Sequence, residues 1–263
     1  MADSASPEKE VTEAALRRAA ALAAYADVGP SARRLALPCR ARQPTVIIVT
    51  VTDEQRPEGA PGIAHVMFDA DGVLQNLPGG WIAAAEPYFG ERALEFLERS
   101  YRAELPTLSG QGDHLAILAA TLAEFGVTVP VGDVYRAVWL SMEPAAASIA
   151  VVRALRQGGY GVHLGTNQEW YRAAHMREVL GYDALFDVSC YSCELGAAKP
   201  DVAFFTEAAR RIGAEPAAIL FIDDTAQNVA AARVAGLTAE RWCLDDGHDV
   251  LRGLLARHGV TVR

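Results

Sequence analysis

Two aspartates one residue apart, Asp69 and Asp71, have types and spacing that suggest chemistry. They follow the apolar run 66–68, which has the composition of a buried strand, and Gly72 comes directly after them. Two carboxylates this close repel each other, and burying either one is costly unless a partner offsets its charge. A pair of acids at the end of a core strand therefore predicts a cation or a basic group beside it.

Polar side chains occupy further strand ends and helix starts along the chain. They are Thr166 and Asn167 in "LGTNQ", Lys199 in "AAKPD", and Asp223 and Asp224 in "FIDD", with Asn228 about one helical turn later. In an open parallel sheet, ligands bind beyond the carboxyl ends of the strands. We therefore expect these groups to converge with Asp69 and Asp71 at one edge of a sheet.

The residue types indicate phosphoryl chemistry. Clustered carboxylates without Cys or His nearby select a hard divalent cation, and Mg²⁺ fits best. A carboxylate held near a phosphorus centre can act as a nucleophile and form an aspartyl-phosphate. Thr166, Asn167 and Lys199 would supply donors and positive charge to the phosphoryl oxygens, while the second aspartate is placed to exchange a proton with the leaving oxygen.

The choice of lysine at position 199 is unusual for this chain. Of the 24 basic residues only Lys9 and Lys199 are lysines. A lysine in a chain that otherwise uses arginine suggests that a compact ammonium, rather than a planar guanidinium, is needed there.

Alternating strand-like and helical stretches would position these groups. The strands are predicted at 63–69, 160–165, 185–190, 218–222 and 238–243, and the helices at 145–157, 168–180, 200–212, 225–235 and 247–258. This alternation predicts an α/β fold, a three-layer Rossmann-like parallel sheet with helices on both faces. The mostly helical stretch 80–145 predicts an inserted all-helical cap. We expect the core at 63–79 and 146–263 and a weakly ordered N-terminal extension at 1–62.

Four segments, "FDADGV", "LGTNQ", "AAKPD" and "FIDDTAQNV", resemble in order and spacing the four motifs of the haloacid dehalogenase (HAD) superfamily. The position of the helical insert, after the first motif, resembles the C1-type cap of the subfamily that includes phosphatases, phosphosugar mutases and dehalogenases. The resemblance implies the HAD fold, Mg²⁺ as the cofactor and a phosphatase-like activity.

The resemblance also implies a role for each matching residue. Asp69 matches the nucleophile, which also binds Mg²⁺, and Asp71 matches the general acid/base, whose backbone carbonyl binds the metal. The other matches are Thr166 for phosphate binding with Asn167 beside it, Lys199 for steadying the nucleophile and phosphate, Asp224 as the main metal ligand of the fourth motif, and Asp223 as a second ligand or water-holder. The acid at position 71 favours phosphoryl over carbon–halogen chemistry, because the dehalogenases lack an acid there.

Cap residues carry less information. The loop from Gly110 and Gln111 to Asp113 either reads the leaving group, as such cap loops do in the resembling family, or simply connects two helices with Asp113 as a helix cap. The aromatic residues of the insert fit a cap core better than a substrate platform; they are Trp81, Tyr88, Phe89 and Trp139.

Composition excludes several other classes. The net charge of −9 disfavours nucleic-acid binding, which needs a basic face. No apolar run is long enough to span a membrane and no secretory signal is evident, so we expect a cytoplasmic protein without a membrane partner. The pair Cys190 and Cys193 forms a C-x-x-C, but no second half completes a zinc site, and buried structural cysteines are the expected interpretation.

The sequence thus predicts a Mg²⁺-dependent phosphomonoester hydrolase that acts on a small phosphorylated metabolite. A phosphosugar mutase and a 2-haloacid dehalogenase are enzymatic alternatives. A regulatory phosphate-binding protein that uses residues 1–62 to hold a partner is the non-enzymatic one. The sequence does not indicate an oligomeric state.

Overall fold

The computed structural model describes residues 62–262, so nearly all of the predicted N-terminal extension lies outside the described residues. The strands are β1 (His65–Phe68), β2 (Gln75–Asn76), β3 (Glu143–Pro144), β4 (Gly161–Thr166), β5 (Val188–Tyr191), β6 (Ile219–Asp223) and β7 (Thr238–Arg241). The helices are α1 (Gly80–Phe89), α2 (Ala93–Leu108), α3 (His114–Glu124), α4 (Val131–Trp139), α5 (Ala146–Gln157), α6 (Trp170–Glu178), α7 (Tyr182–Leu185), α8 (Ser192–Leu195), α9 (Val202–Ile212), α10 (Ala226–Val234) and α11 (His248–Arg257). No helix among residues 62–262 combines the length and apolar character needed to cross a membrane.

A five-stranded parallel sheet, in the order β5-β4-β1-β6-β7, forms the middle layer. Side chains alternate between its faces. Val66 and Phe68 pack into one apolar cluster, whereas Met67 and Phe221 pack into a second one. Each fully buried large apolar side chain stabilises the fold by roughly 1.5–3 kcal/mol. The predicted three-layer α/β fold is confirmed.

The helices α1 to α4 carry their own apolar cluster, separate from the two sheet clusters. The rings of Phe89 and Phe96 stack at 3.6 Å, and Phe125 meets both rings edge-on. Trp139 is buried in the same cluster, and Trp81 and Tyr88 pack against it. The cap aromatics therefore lie in or against a cap core, as the sequence predicts.

The structure corrects the element boundaries in two places. The predicted strand 185–190 begins later, at Val188, because the short helix α7 buries Tyr182 before the chain enters the sheet. The region 80–145 also ends in β3, which pairs antiparallel with β2. Each of these strands is only two residues long, too short for a periodic sequence pattern to reveal.

Candidate active site

The register of the sheet places Asp69 beside Asp223. Phe68 of β1 is level with Leu164 of β4 and Ile222 of β6, so the next residue, Asp69, is level with Gly165 and Asp223. The backbone N–H of Asp69 donates to the carbonyl of Ile222 at 2.9 Å. Adjacent parallel strands thus deliver two acids to the same edge.

Lys199 joins these two acids. Its Nζ lies 2.7 Å from Asp69 Oδ1 and 2.8 Å from Asp223 Oδ2, and it donates to the carbonyl of Gly165 at 2.9 Å. An ammonium has three N–H donors, and each of the three has a partner here. The side chain is 1% exposed, so a planar guanidinium would have to displace packed neighbours. The expectation that position 199 needs a compact ammonium agrees with this geometry.

Asn167 holds the backbone of Lys199. Its Nδ2 donates to the Lys199 carbonyl and its Oδ1 accepts from the Lys199 N–H, both at 2.8 Å. Both polar ends of the side chain are therefore engaged with the main chain of Lys199. The structure gives Asn167 a positioning task, and its predicted contact with the substrate stays a prediction.

Asp223 is fully buried and surrounded by donors. Besides Lys199, it accepts from the backbone N–H of Thr225 at 2.7 Å and from Asn228 Nδ2 at 3.1 and 3.0 Å. Asn228 therefore orients the Asp223 carboxylate. The partly exposed Asp224 accepts from the Thr225 hydroxyl at 3.0 Å.

Asp69, Asp223 and Asp224 offer carboxylate oxygens that lie within 4.8 Å of one another. They form the only group of three or more potential ligands between residues 62 and 262. Burial raises the pKa of Asp69 to about 8, and the charges of Asp223 and Asp224 add to the rise while Lys199 opposes it. One ammonium does not offset three carboxylates, and the donors are all hard oxygens, so these residues fit a divalent cation such as Mg²⁺. We call Asp69, Lys199, Asp223 and Asp224 the core site.

Gly72 closes over the core site. A Cβ at this position would lie 3.0 Å from Asp224 Oδ2, and its φ of +82° is one that residues with a side chain rarely adopt. The glycine that follows the first motif therefore lets the turn approach the carboxylate of the fourth motif.

Thr166 lies at the end of β4, where its hydroxyl accepts from Gln168 Nε2 at 3.0 Å. The same Nε2 lies 3.4 Å from Asp71 Oδ2. Gln168 thus links the predicted phosphate-binding hydroxyl to the predicted acid/base. Its own Oε1 is buried without a hydrogen-bond partner among the residues that the structure describes.

Asp71 has a basic partner that the sequence did not reveal. Arg172, on the core helix α6, donates from NH2 to Asp71 Oδ1 at 3.0 Å, and Gln75 Nε2 donates to the same oxygen at 2.7 Å. The available signals were weak: a glutamine four residues after Asp71 and an arginine in the first turn after "LGTNQ". The partner that the two opening acids required is therefore Lys199 for Asp69 and Arg172 for Asp71.

The cap and core meet at a second cluster, which we call the cap contact and define by Glu104, Gly110, Tyr135, Glu169 and Cys193. The Tyr135 hydroxyl donates to Glu169 Oε1, and Glu169 also accepts from the backbone N–H groups of Tyr171 and Arg172 at 2.8 Å. Burial raises the pKa of Glu104 to about 8, with nearby Glu169 and Asp71 adding to the rise and Arg172 opposing it.

The loop with Gly110 and Gln111 docks on the core. A Cβ at Gly110 would lie 2.4 Å from the Cys193 carbonyl, and Trp170 Nε1 donates to the Gly110 carbonyl at 3.4 Å. Asp113 caps α3 by accepting from Leu115 N–H at 2.9 Å, as expected for a helix connector. Gln111 is exposed, and its predicted substrate contact stays a prediction.

Cys190, Cys193, His114 and His163 take structural positions. Cys190 and Cys193 are free and buried, and burial raises the pKa of both thiols to about 12, which leaves them protonated and unreactive at neutral pH. His163 hydrogen-bonds His65 at 3.1 Å, away from the core site. His114 is buried, and its Nδ1 lies 3.9 Å from Glu104 Oε2.

The parallel sheet, the helical insert and four motif residues at one sheet edge define the class of protein. The family model for haloacid dehalogenase-like hydrolases matches residues 63–236, and the chain belongs to this family of enzymes. A "Probable phosphatase IndB" of Dickeya dadantii is 28% identical over 183 residues, which cover 66% of this chain and 78% of the relative. A "Sesquiterpene phosphatase astK" of Aspergillus oryzae is 30% identical over 96 residues, 36% of this chain and 49% of the relative.

Solved structures share the fold. A HAD family enzyme of Bacteroides thetaiotaomicron, 19% identical, superposes with a TM-score of 0.63 over 73% of this chain and 100% of that one. The same enzyme has been solved in complex with magnesium and inorganic phosphate, with a TM-score of 0.61. L-2-haloacid dehalogenase of Xanthobacter autotrophicus, also 19% identical, reaches 0.56 over 74% of this chain and 83% of its own.

Proposed function

We propose that this protein is a Mg²⁺-dependent phosphatase that hydrolyses a small phosphorylated metabolite through an aspartyl-phosphate on Asp69. The observation that carries the proposal is the bridge Asp69–Lys199–Asp223 beside Asp224, with Asp71 held separately by Arg172. The phosphatase names of two relatives support it. The acidic chain disfavours polyanionic substrates such as nucleic acids.

The reaction uses the two opening acids in turn. A carboxylate oxygen of Asp69 attacks phosphorus, the bond from phosphorus to the ester oxygen breaks, and Asp71 gives that oxygen a proton. Asp71 then takes a proton from water as the water attacks the aspartyl-phosphate, which releases phosphate and restores Asp69. The positive charge of Lys199 offsets the charge on the phosphoryl oxygens, and the Thr166 hydroxyl donates a hydrogen bond to them.

Asp69, Asp223 and Asp224 would hold Mg²⁺, which supplies positive charge to the phosphate during transfer. An acid at position 71 with its own basic partner favours proton transfer to an alcohol, which a dehalogenase does not need. This makes the dehalogenase alternative weaker than the phosphatase. The similarity to the solved dehalogenase adds nothing to that alternative, since it extends to the fold alone.

Hydrolysis of p-nitrophenyl phosphate by the full chain tests the proposal. We expect turnover with Mg²⁺, loss by at least about 100-fold on chelation with EDTA and recovery on adding Mg²⁺ back. Asp69→Asn should lower kcat by about 1,000-fold or more, because the nucleophile is removed. Asp249→Asn, the same change at an exposed position on α11, is the matched control and should leave the rate unchanged. Full activity in Asp69→Asn would refute the mechanism.

A further inference from the structure

The two carboxylate oxygens of Asp71 have unequal surroundings. Oδ1 accepts from Gln75 Nε2 at 2.7 Å and from Arg172 NH2 at 3.0 Å. Oδ2 has one long contact within the described residues, to Gln168 Nε2 at 3.4 Å, and that amide nitrogen is closer to Thr166 Oγ1. The side chain is 31% exposed, and the described residues place two close donors on Oδ1 and only one distant donor on Oδ2, so Oδ2 is the oxygen with capacity for a further partner.

The donors on Oδ1 are themselves fixed. Tyr182, which is fully buried, donates its hydroxyl to Gln75 Oε1 at 2.7 Å. A hydroxyl that donates to the amide oxygen leaves the amide nitrogen facing Asp71, so the orientation of Gln75 follows from the network. Gln75 is also fully buried and belongs to the short ribbon of β2 and β3.

Arg172 is equally constrained. Its side chain is 9% exposed, its guanidinium carbon lies 5.6 Å from the centre of the Trp81 ring, and its charge is stabilised by Asp71, Glu104 and Glu169. A buried guanidinium between an aromatic face and three carboxyl groups has little freedom to leave Asp71.

The geometry points to Arg172 and Gln75 as positioning residues for proton transfer: they occupy Oδ1 and turn Oδ2 of Asp71 toward the ester oxygen of the substrate. The inference rests on the proposed phosphatase function. During transfer to Asp69, the bond from phosphorus to the ester oxygen breaks, its electron pair stays on that oxygen, and the proton moves from Oδ2 onto it. Asp71 is left as a carboxylate opposite Arg172.

Dependence on the leaving group tests this role. Phenyl phosphate and p-nitrophenyl phosphate differ little in size, but the phenolate departs poorly without a proton and the nitrophenolate departs readily. The ratio of kcat/KM for the two esters is informative, since kcat/KM covers the steps up to release of the phenol and does not include hydrolysis of the aspartyl-phosphate. The Asp71→Asn variant serves as the reference, because its ratio of kcat/KM for the two esters is the one expected when no proton is donated.

We expect Arg172→Gln and Gln75→Met to lower kcat/KM for phenyl phosphate by about 10-fold or more and for p-nitrophenyl phosphate by less than about 3-fold. Arg172→Lys should recover part of the loss, because an ammonium can still donate to Oδ1. Arg177→Gln removes another arginine of α6, one that pairs with Asp183 and Glu194. It should lower kcat/KM for both esters equally or not at all.

Equal losses for both esters, or no loss, would overturn the inference and assign Arg172 a purely structural role. If Arg172→Gln does not fold, Gln75→Met and Tyr182→Phe decide, since Tyr182→Phe removes only the hydroxyl that orients Gln75. A wild-type protein that hydrolyses neither ester would instead refute the proposed function. An active wild type with an unchanged ratio in all variants would refute the positioning role alone.

Discussion

The core site and the cap contact are two buried polar clusters built in different ways. In the core site, acids at the ends of neighbouring parallel strands share one ammonium, and the register of the sheet sets their spacing. In the cap contact, residues of the cap meet residues of the core through a Tyr135–Glu169 hydrogen bond and the close approach of Gly110 to the Cys193 carbonyl. The positions of the core-site residues are therefore set by the sheet, whereas access to them depends on how the cap packs on the core.

The largest expected effect on folding stability comes from breaking the core site at Lys199. Lys199→Met leaves Asp69 and Asp223 buried without their shared partner, which typically costs about 3–5 kcal/mol of folding free energy. It also removes positive charge near the phosphate, so we expect kcat to fall by about 100-fold or more. Kinetics and urea unfolding measure the two effects separately.

Lys199→Arg sharpens the same test, because it keeps the charge and changes only the shape. We expect a loss of activity close to that of Lys199→Met, since three compact donors are replaced by a planar fork. An arginine variant with wild-type activity would show that charge alone is needed at this position.

The cap contact can be disturbed at Gly110. An alanine there places Cβ 2.4 Å from the Cys193 carbonyl, a backbone atom that cannot move cheaply, in addition to the strain of a φ of +79°. We expect Gly110→Ala to lose about 2–4 kcal/mol of unfolding free energy or to undock the loop.

Gly112→Ala is the matched control. Gly112 has a similar φ of +81° in the same loop, and its nearest neighbour, Ile117, would be 3.9 Å away. This variant should therefore show the backbone strain without the clash, about 1–2 kcal/mol. Equal losses in both variants would show that the loop does not dock on Cys193 in solution.

A smaller effect is expected from removing the Tyr135 hydroxyl. Tyr135→Phe deprives the buried Glu169 of one donor, which should cost about 1–3 kcal/mol. Tyr171→Phe removes an exposed 3.2 Å hydrogen bond to Asp113 and should cost under about 0.5 kcal/mol. A double-mutant cycle with Glu169→Gln measures the coupling, and a value near zero would contradict a cap–core bond at this point.

Glu104 should also make the stability of the protein depend on pH. Its pKa is about 8 in the folded protein and about 4.3 in an unfolded chain. The contribution of the protonated Glu104 side chain to the unfolding free energy is fully present below about pH 4.3 and is lost as the pH rises through 8. Glu104→Gln cannot ionise, so we expect its unfolding free energy to gain on the wild type between pH 5 and 8, with no further gain at higher pH.

Glu95→Gln provides the contrast for this experiment. Glu95 lies on the same helix, but it is exposed, and its hydrogen bond with Arg92 lowers its pKa. The difference in unfolding free energy between Glu95→Gln and the wild type should not widen between pH 5 and 8. If the corresponding difference for Glu104→Gln also stays constant over this range, Glu104 is in contact with water in the folded protein.

The same contrast explains what could be predicted from the sequence. Asp69, Thr166 and Asp223 lie at or directly after the end of a strand, and Lys199 lies shortly before α9. An alternating pattern brings such positions together whatever the details of packing. The α/β fold and the helical insert followed from the same periodicity. The ribbon of β2 and β3 did not, because two-residue strands carry no period, and neither did the start of β5, which the short helix α7 delays.

Arg172 and Glu104 could not be found in this way. Each lies within a helix, and which face of that helix meets a distant acid depends on how the cap packs on the core. Gln75 is separated from Asp71 by only four residues, but its role depends on Tyr182, more than one hundred residues away. Partners that are brought together only by tertiary packing leave no local spacing to recognise.

Trp170 gives the chain an internal optical reporter. It is 46% exposed, whereas Trp139 and Trp242 are buried, and its indole N–H donates to the carbonyl of Gly110 in the cap loop. Indole emission depends on hydrogen bonding and on contact with water, so separation of the loop from α6 would shift the Trp170 signal and change its quenching by iodide. Movement of the cap can therefore be followed in the unlabelled protein.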